Sequence, residues 1–122
     1  MAGFSQEEEP TAPQLAERFR LMGITQGVIT LGSNGAAVIQ GENITYIPPF
    51  KSGQVVDTTG AGDTFNGVLT ARLASGCSIK QAALYAAVAA GISVTRQGAA
   101  GSIPQKAEID EAYDAWEGKE LL

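Results

Sequence analysis

Residues Asp57-Thr58-Thr59-Gly60-Ala61-Gly62-Asp63 run directly into Thr64-Phe65-Asn66-Gly67-Val68-Leu69, so two carboxylates flank a glycine pair where a loop meets a helical pattern. The first N–H groups of a helix lack intrahelical partners, and its aligned peptide dipoles place partial positive charge there. Gly60 and Gly62 carry no Cβ, so the backbone can turn sharply and approach an anion with successive N–H groups converging on it. Asp63 then stands beside an anion site, where a carboxylate can take a proton from an attacking hydroxyl. Taken alone, the same residues also describe a plain turn, with Asp63 in the first helical turn because the dipole favours a carboxylate there.

The rest of the chain alternates strand and helix signals around this junction. Leu15, Phe19 and Met22 recur at helical spacing, which predicts a short amphipathic helix capped by Thr11 and stopped at Gly23. Gly27-Val28-Ile29-Thr30-Leu31 is expected to be a buried strand leading into the loop Gly32-Ser33-Asn34-Gly35, whose Asn-Gly pair is by itself also a type I′ hairpin signal. Residues 36–40 and 43–47 read as two further strands joined by a tight turn at Gly41-Glu42 and ended by Pro48-Pro49. Phe65, Val68, Leu69 and Leu73 predict a helix from Ala61 or Asp63 to about Ser75, with Gly76 as its stop. Ser78 caps a second helix that keeps Ile79, Ala82, Ala83, Ala86, Ala90 and Val94 on one face, with Arg96 and Gly98 as last turn and C-cap. A final amphipathic helix is expected over residues 106–116 through Ile109, Ala112, Tyr113 and Trp116. The order of elements is that of an α/β protein.

Composition narrows the function classes. With 122 residues, 44% of them hydrophobic and 17% charged, the chain reads as a single soluble globular domain. Residues 1–13, with Glu7-Glu8-Glu9, are expected to form a loose acidic lead-in to one unit over residues 14–122, and the acidic end at 117–120 is a second solvated segment. A net charge of −5 without a Lys/Arg cluster argues against a nucleic-acid partner. The absence of histidine removes Ser-His-Asp and Cys-His catalysis and histidine-ligated zinc. Cys77 is the only cysteine, which excludes an internal disulfide. The start has neither the basic nor the apolar segment of a signal peptide, and the apolar stretch 82–94 is short for a bilayer, so a cytoplasmic protein without membrane contact is expected. No Gly-x-x-x-x-Gly-Lys-Ser/Thr string is present, so P-loop chemistry is not supported.

The string from Asp57 to Gly67 closely resembles the second signature of the ribokinase-like (PfkB-type) sugar kinases. Two further matches follow the family's order: Thr30-Leu31-Gly32-Ser33-Asn34-Gly35 resembles its nucleotide-contacting loop, and Ser93-Val94-Thr95-Arg96-Gln97-Gly98-Ala99 with Ser102-Ile103-Pro104 is similar to its cation-holding stretch. The resemblance implies the C-terminal, nucleotide-binding part of a three-layer α/β/α fold over residues 14–122, nearest to the ribokinases. Its expected activity is ATP-dependent phosphoryl transfer to a primary hydroxyl of a sugar such as ribose. In that reading Asp63 is the catalytic base in contact with the substrate hydroxyl, and the N–H groups of Gly60, Ala61, Gly62 and Asp63 form the anion hole. Thr30, Leu31, Gly32, Ser33, Asn34, Gly35, Gly62, Asp63 and Ala87 meet ATP, and Ala87 stands where relatives often carry a polar residue near adenine. Oxygens of Asp57, Thr59, Ser93, Arg96, Gly98 and Ser102 are the implied ligands of K⁺, a hard cation suited to them. The parts that choose the acceptor, cover it and organise Mg²⁺ are implied to lie outside this stretch. The acceptor therefore stays open between ribose, a fructose phosphate and a nucleoside, as does a non-catalytic nucleotide-binding fragment. An open sheet edge would invite a homodimer or pairing with a complementary chain.

Overall fold

The computed structural model describes residues 11–51, 53–58, 60–96 and 104–117. Three strands, β1 (Gln26–Thr30), β2 (Ala36–Gln40) and β3 (Asn43–Ile47), form an antiparallel sheet in the order β1-β2-β3. Four helices, α1 (Ala12–Leu21), α2 (Ala61–Ala74), α3 (Ile79–Ser93) and α4 (Lys106–Ala115), complete the described elements. None of the described helices is long and apolar enough to cross a membrane.

Strand register sorts the sheet into two faces. Val28 stands opposite Val38, and Ala36 opposite Ile47; with Val28 packed against them, these residues form one core with Phe65 of α2 and Ala83, Leu84, Ala86 and Ala87 of α3. On the other face, Gly27 stands opposite Ile39 and lies under the ring of Phe19, which brings in α1. The sheet is therefore covered from both sides, and β2 is buried from Ala36 to Ile39. β1 is only half-buried, with exposed ends, contrary to the buried strand expected from its apolar run: among the described strands it lies at an edge and β2 takes the centre. The turn between β1 and β2 is also not type I′. It contains a 3₁₀ turn at Gly32–Asn34 closed by Gly35 at φ 92°, and no described residue other than glycine has a positive φ.

Helix ends follow the local chemistry. The Thr11 hydroxyl accepts the Gln14 N–H while the Gln14 side chain accepts the Thr11 N–H, and Ser78 accepts the Gln81 N–H at 3.2 Å. α1 ends at Leu21, so Met22 serves as its C-cap and is 63% exposed instead of extending the apolar face of Leu15 and Phe19. α3 departs from its expected single face. Every residue from Ala82 to Ala89 is buried, because α2, α4 and the sheet surround the helix. It stops at Ser93 with Val94 as C-cap, so Arg96 lies beyond its last turn, and Gly98 lies outside the described residues.

Polar contacts fasten α4 to α3. The Tyr85 hydroxyl donates to Asp110 at 2.5 Å, and Asp110 also accepts from Lys106 at 2.6 Å. Arg72 of α2 lies 4.3 Å over the Tyr85 ring. Burial, and then the hydrogen bond to Asp110, push the Tyr85 phenol up to about 12. Past α3, Arg96 forks onto the Glu108 carboxylate, which also accepts the Gln105 N–H; these bonds hold Glu108 below its ordinary range.

Two measurements check this packing. A Cβ at Gly91 would strike the Phe50 carbonyl oxygen and lie 2.9 Å from Phe50 Cδ2, whereas one at Gly67 would meet nothing within 4 Å. Denaturant unfolding is expected to show Gly91→Ala losing about 1–3 kcal/mol through overpacking, and Gly67→Ala gaining about 0.5–1 kcal/mol of helix propensity. Losses of equal size in both variants would refute the close approach at Gly91. Because folding binds the Tyr85 proton more tightly than the unfolded chain does, its contribution is complete below pH 10 and is lost as pH rises through about 12. Tyr85→Phe should therefore lose less stability across that window than the wild type, and parallel pH profiles would contradict the linkage.

Candidate functional site

α2 is capped at its start by Gly60, whose φ of 82° is a left-handed conformation that favours glycine, and a glycine N-cap has no side chain to accept the first N–H groups. The Ala61 N–H donates to the Thr58 carbonyl at 3.2 Å, and Thr64 makes the first helical bond back to Gly60 at 2.9 Å. Gly62 and Asp63, between them, are left without a side-chain cap. The next two residues explain why the helix starts where it does. Thr64 and Phe65 are buried, with Phe65 set among Ala36, Val38, Ile47 and Leu84, while Gly62 and Asp63 remain exposed. The hydroxyl of Thr64 is buried with no hydrogen-bond partner among the described residues.

Beside this helix end lies a cleft of about 350 Å³. Thr30, Gly32 and Gly35 form one wall at the β1–β2 turn, Ala61, Gly62 and Phe65 belong to α2, and Ala87, Ala90 and Gly91 line it from α3. Their small size leaves space that larger side chains would fill, and the volume falls within the range of small-molecule sites. The turn is held by Leu31 N–H to the Gly35 carbonyl at 2.8 Å and Asn34 N–H to the Leu31 carbonyl at 3.0 Å. Leu31 and Asn34 thus shape the turn without lining the cleft.

The segment between β3 and α2 supplies residues that the sequence reading left unassigned: Pro49, Phe50, Lys51, Val55 and Thr58 also line the cleft. Phe50 is fixed by an edge-to-face contact with Trp116, 5.5 Å between ring centres, and by its backbone against Gly91. No periodicity marks this segment, and its placement depends on partners far along the chain. The signal that could have found it is Pro48-Pro49, which turns the chain out of the sheet immediately before Phe50.

The expected cation residues are partly brought together. The Val94 carbonyl accepts the N–H groups of Val56 at 2.7 Å and Asp57 at 3.1 Å, which ties the start of the glycine motif to the end of α3. Ser93 is buried there, its hydroxyl donating to the Ala90 carbonyl at 2.9 Å, and the Arg96 side chain is turned to Glu108. Thr59, Gly98 and Ser102 lie outside the described residues. Among the described residues there is no group of three or more Asp, Glu or Cys side chains placed to cage a metal ion.

Comparison with known proteins agrees with this architecture. The model of the pfkB family carbohydrate kinases matches residues 1–106. Ribokinase of Haemophilus influenzae is 38% identical over 111 residues, covering 91% of this chain and 36% of that protein. Ribokinase from Thermotoga maritima superposes with a TM-score of 0.80 at 35% identity, over 88% of this chain and 36% of that one. Arabidopsis thaliana ribokinase complexed with ribose and ATP gives 0.77 at 34% identity, over 84% and 34%. The chain spans about a third of the length of these relatives. The shared fold, with the glycine motif opening α2 beside the cleft, and the family match over most of its length show that this chain belongs to the pfkB family of carbohydrate kinases.

Proposed function

We propose that this chain forms the nucleotide and phosphoryl-transfer part of an ATP-dependent sugar kinase whose acceptor is ribose. The observation that carries the reading is the junction of an apolar cleft with a helix N-terminus that has no side-chain cap. A purine and its ribose suit small, apolar walls, and a terminal phosphate suits a helix end rich in N–H groups and positive potential. The complex of the Arabidopsis thaliana relative with ribose and ATP supports the same pair of substrates.

In this reading the turn from Thr30 through Leu31, Gly32, Ser33 and Asn34 to Gly35, with Ala87 opposite, embraces the nucleotide. Gly60, Ala61 and Gly62 form the anion hole, and the N-cap Gly60 offers the helix end no side-chain acceptor. Charge that builds on the transferring phosphoryl group meets fixed dipoles that need no reorganisation. Asp63 is exposed in the first turn of α2, free to face a hydroxyl as its base. Asp57, Ser93 and Arg96, with Thr59, Gly98 and Ser102, offer oxygens suited to K⁺, which would neutralise charge near the anion hole. Mg²⁺ accompanies the nucleotide in this proposal, with no carboxylate cage for it among the described residues. β1 and β3 each pair on one side only among the described strands, and these edges are where a second copy or a complementary chain would add.

Calorimetric titration with ATP, paired with an assay of ribose-dependent ADP formation by the full-length protein, tests the reading. Asp63→Asn is expected to hold ATP within about twofold of the wild type while turnover falls about 10²–10⁴-fold, the range of a lost general base. Near-normal turnover by this variant would remove Asp63 from its role.

A further inference from the structure

The lining of the cleft is unusual in its charge. The chain carries a net −5, yet among the described residues that line the cleft there is one cation, Lys51, and no carboxylate. Four other basic side chains are committed elsewhere. Arg20 is shared between Glu17 and Glu42, Arg96 grips Glu108, Lys106 holds Asp110, and Arg72 lies over Tyr85. Lys51, by contrast, forms no ion pair among the described residues and is exposed at the cleft.

Its position is set by its neighbour. Phe50 is wedged between Trp116 and the backbone of α3 at Gly91, so the chain leaves the core at Phe50 and delivers Lys51 to the cleft rim. Low-dielectric walls concentrate the field of a charge placed beside them. An anionic ligand approaching an acidic protein therefore meets local positive potential from Lys51 as well as from the start of α2.

We propose that Lys51 is a further binding residue, whose ammonium contacts a phosphate group of the nucleotide. The inference rests on the reading of the cleft as a nucleotide site. It adds a flexible point charge to the backbone donors of the helix end, and makes affinity for the charged part of the ligand separable from affinity for the nucleoside.

Calorimetric titration of the wild type, Lys51→Gln and Lys51→Arg with ATP, ADP and adenosine tests it. Lys51→Gln should weaken ATP and ADP about fivefold, the scale of one partly exposed charge contact, and make binding less sensitive to salt. Adenosine affinity should be unchanged, Lys51→Arg should restore most of the ATP affinity, and thermal unfolding should confirm intact folding in both variants. Equal ATP affinity in Lys51→Gln and wild type would overturn the contact while leaving the nucleotide site standing. An equal loss for adenosine and ATP would likewise overturn it, since the residue would then act on the nucleoside or on cleft shape. Failure of the wild type to bind ATP or adenosine would overturn both the cleft reading and this proposal.

Discussion

The all-round burial of α3 is the constraint on which the other elements depend. Eight consecutive residues, Ala82 to Ala89, are out of solvent, and five of them are alanine. Alanine in a helix loses no side-chain entropy and keeps the cylinder thin, so neighbours approach closely. α2 packs along one side, α4 on another, and β2 with β3 on a third. A wider side chain on any of these faces would push a neighbouring layer outward.

The same thinness makes the cleft. Where Ala87, Ala90 and Gly91 face the β1–β2 turn, the layers do not fill the gap between the sheet and α2. The segment leaving β3 then closes the rim, fixed by Phe50 on Gly91 and Trp116, and the Val94 carbonyl fastens Val56 and Asp57 to the end of α3. The glycine motif is thus anchored at both ends: by Asp57 on α3 and by Phe65 in the core. A helix N-terminus held between two such anchors keeps its N–H groups aimed at one place, which is what preorganised charge stabilisation requires.

Much of the architecture was legible before any coordinates. The second and third strands coincide with their apolar, β-rich runs, and the caps at Thr11 and Ser78 and the glycine start of α2 stand where their side-chain chemistry places them. The misreadings share a cause. Met22 continued a helical spacing but falls outside the helix; the run at Val28 and Ile29 was read as a buried strand but is half-buried, at an edge among the described strands; α3 was assigned one apolar face and is buried all round over its middle. In each case periodicity records which residues are apolar, and not how many neighbours surround them.

The sequence alone determined what depends on neighbours a few positions away: the sharp turn at Gly60, the first turn of α2 with Asp63, the caps, and the extents of β2 and β3. Those rest on steric limits and hydrogen bonds within one or two turns of chain. Tertiary structure decided that Thr30, Gly32 and Gly35, Phe50 with Lys51, and Ala87 with Gly91 share one cleft, and that Lys51 is the cation among its described lining residues. That convergence is produced by packing between residues far apart in the chain, Phe50 on Gly91 and on Trp116 above all, and no local rule carries such a contact.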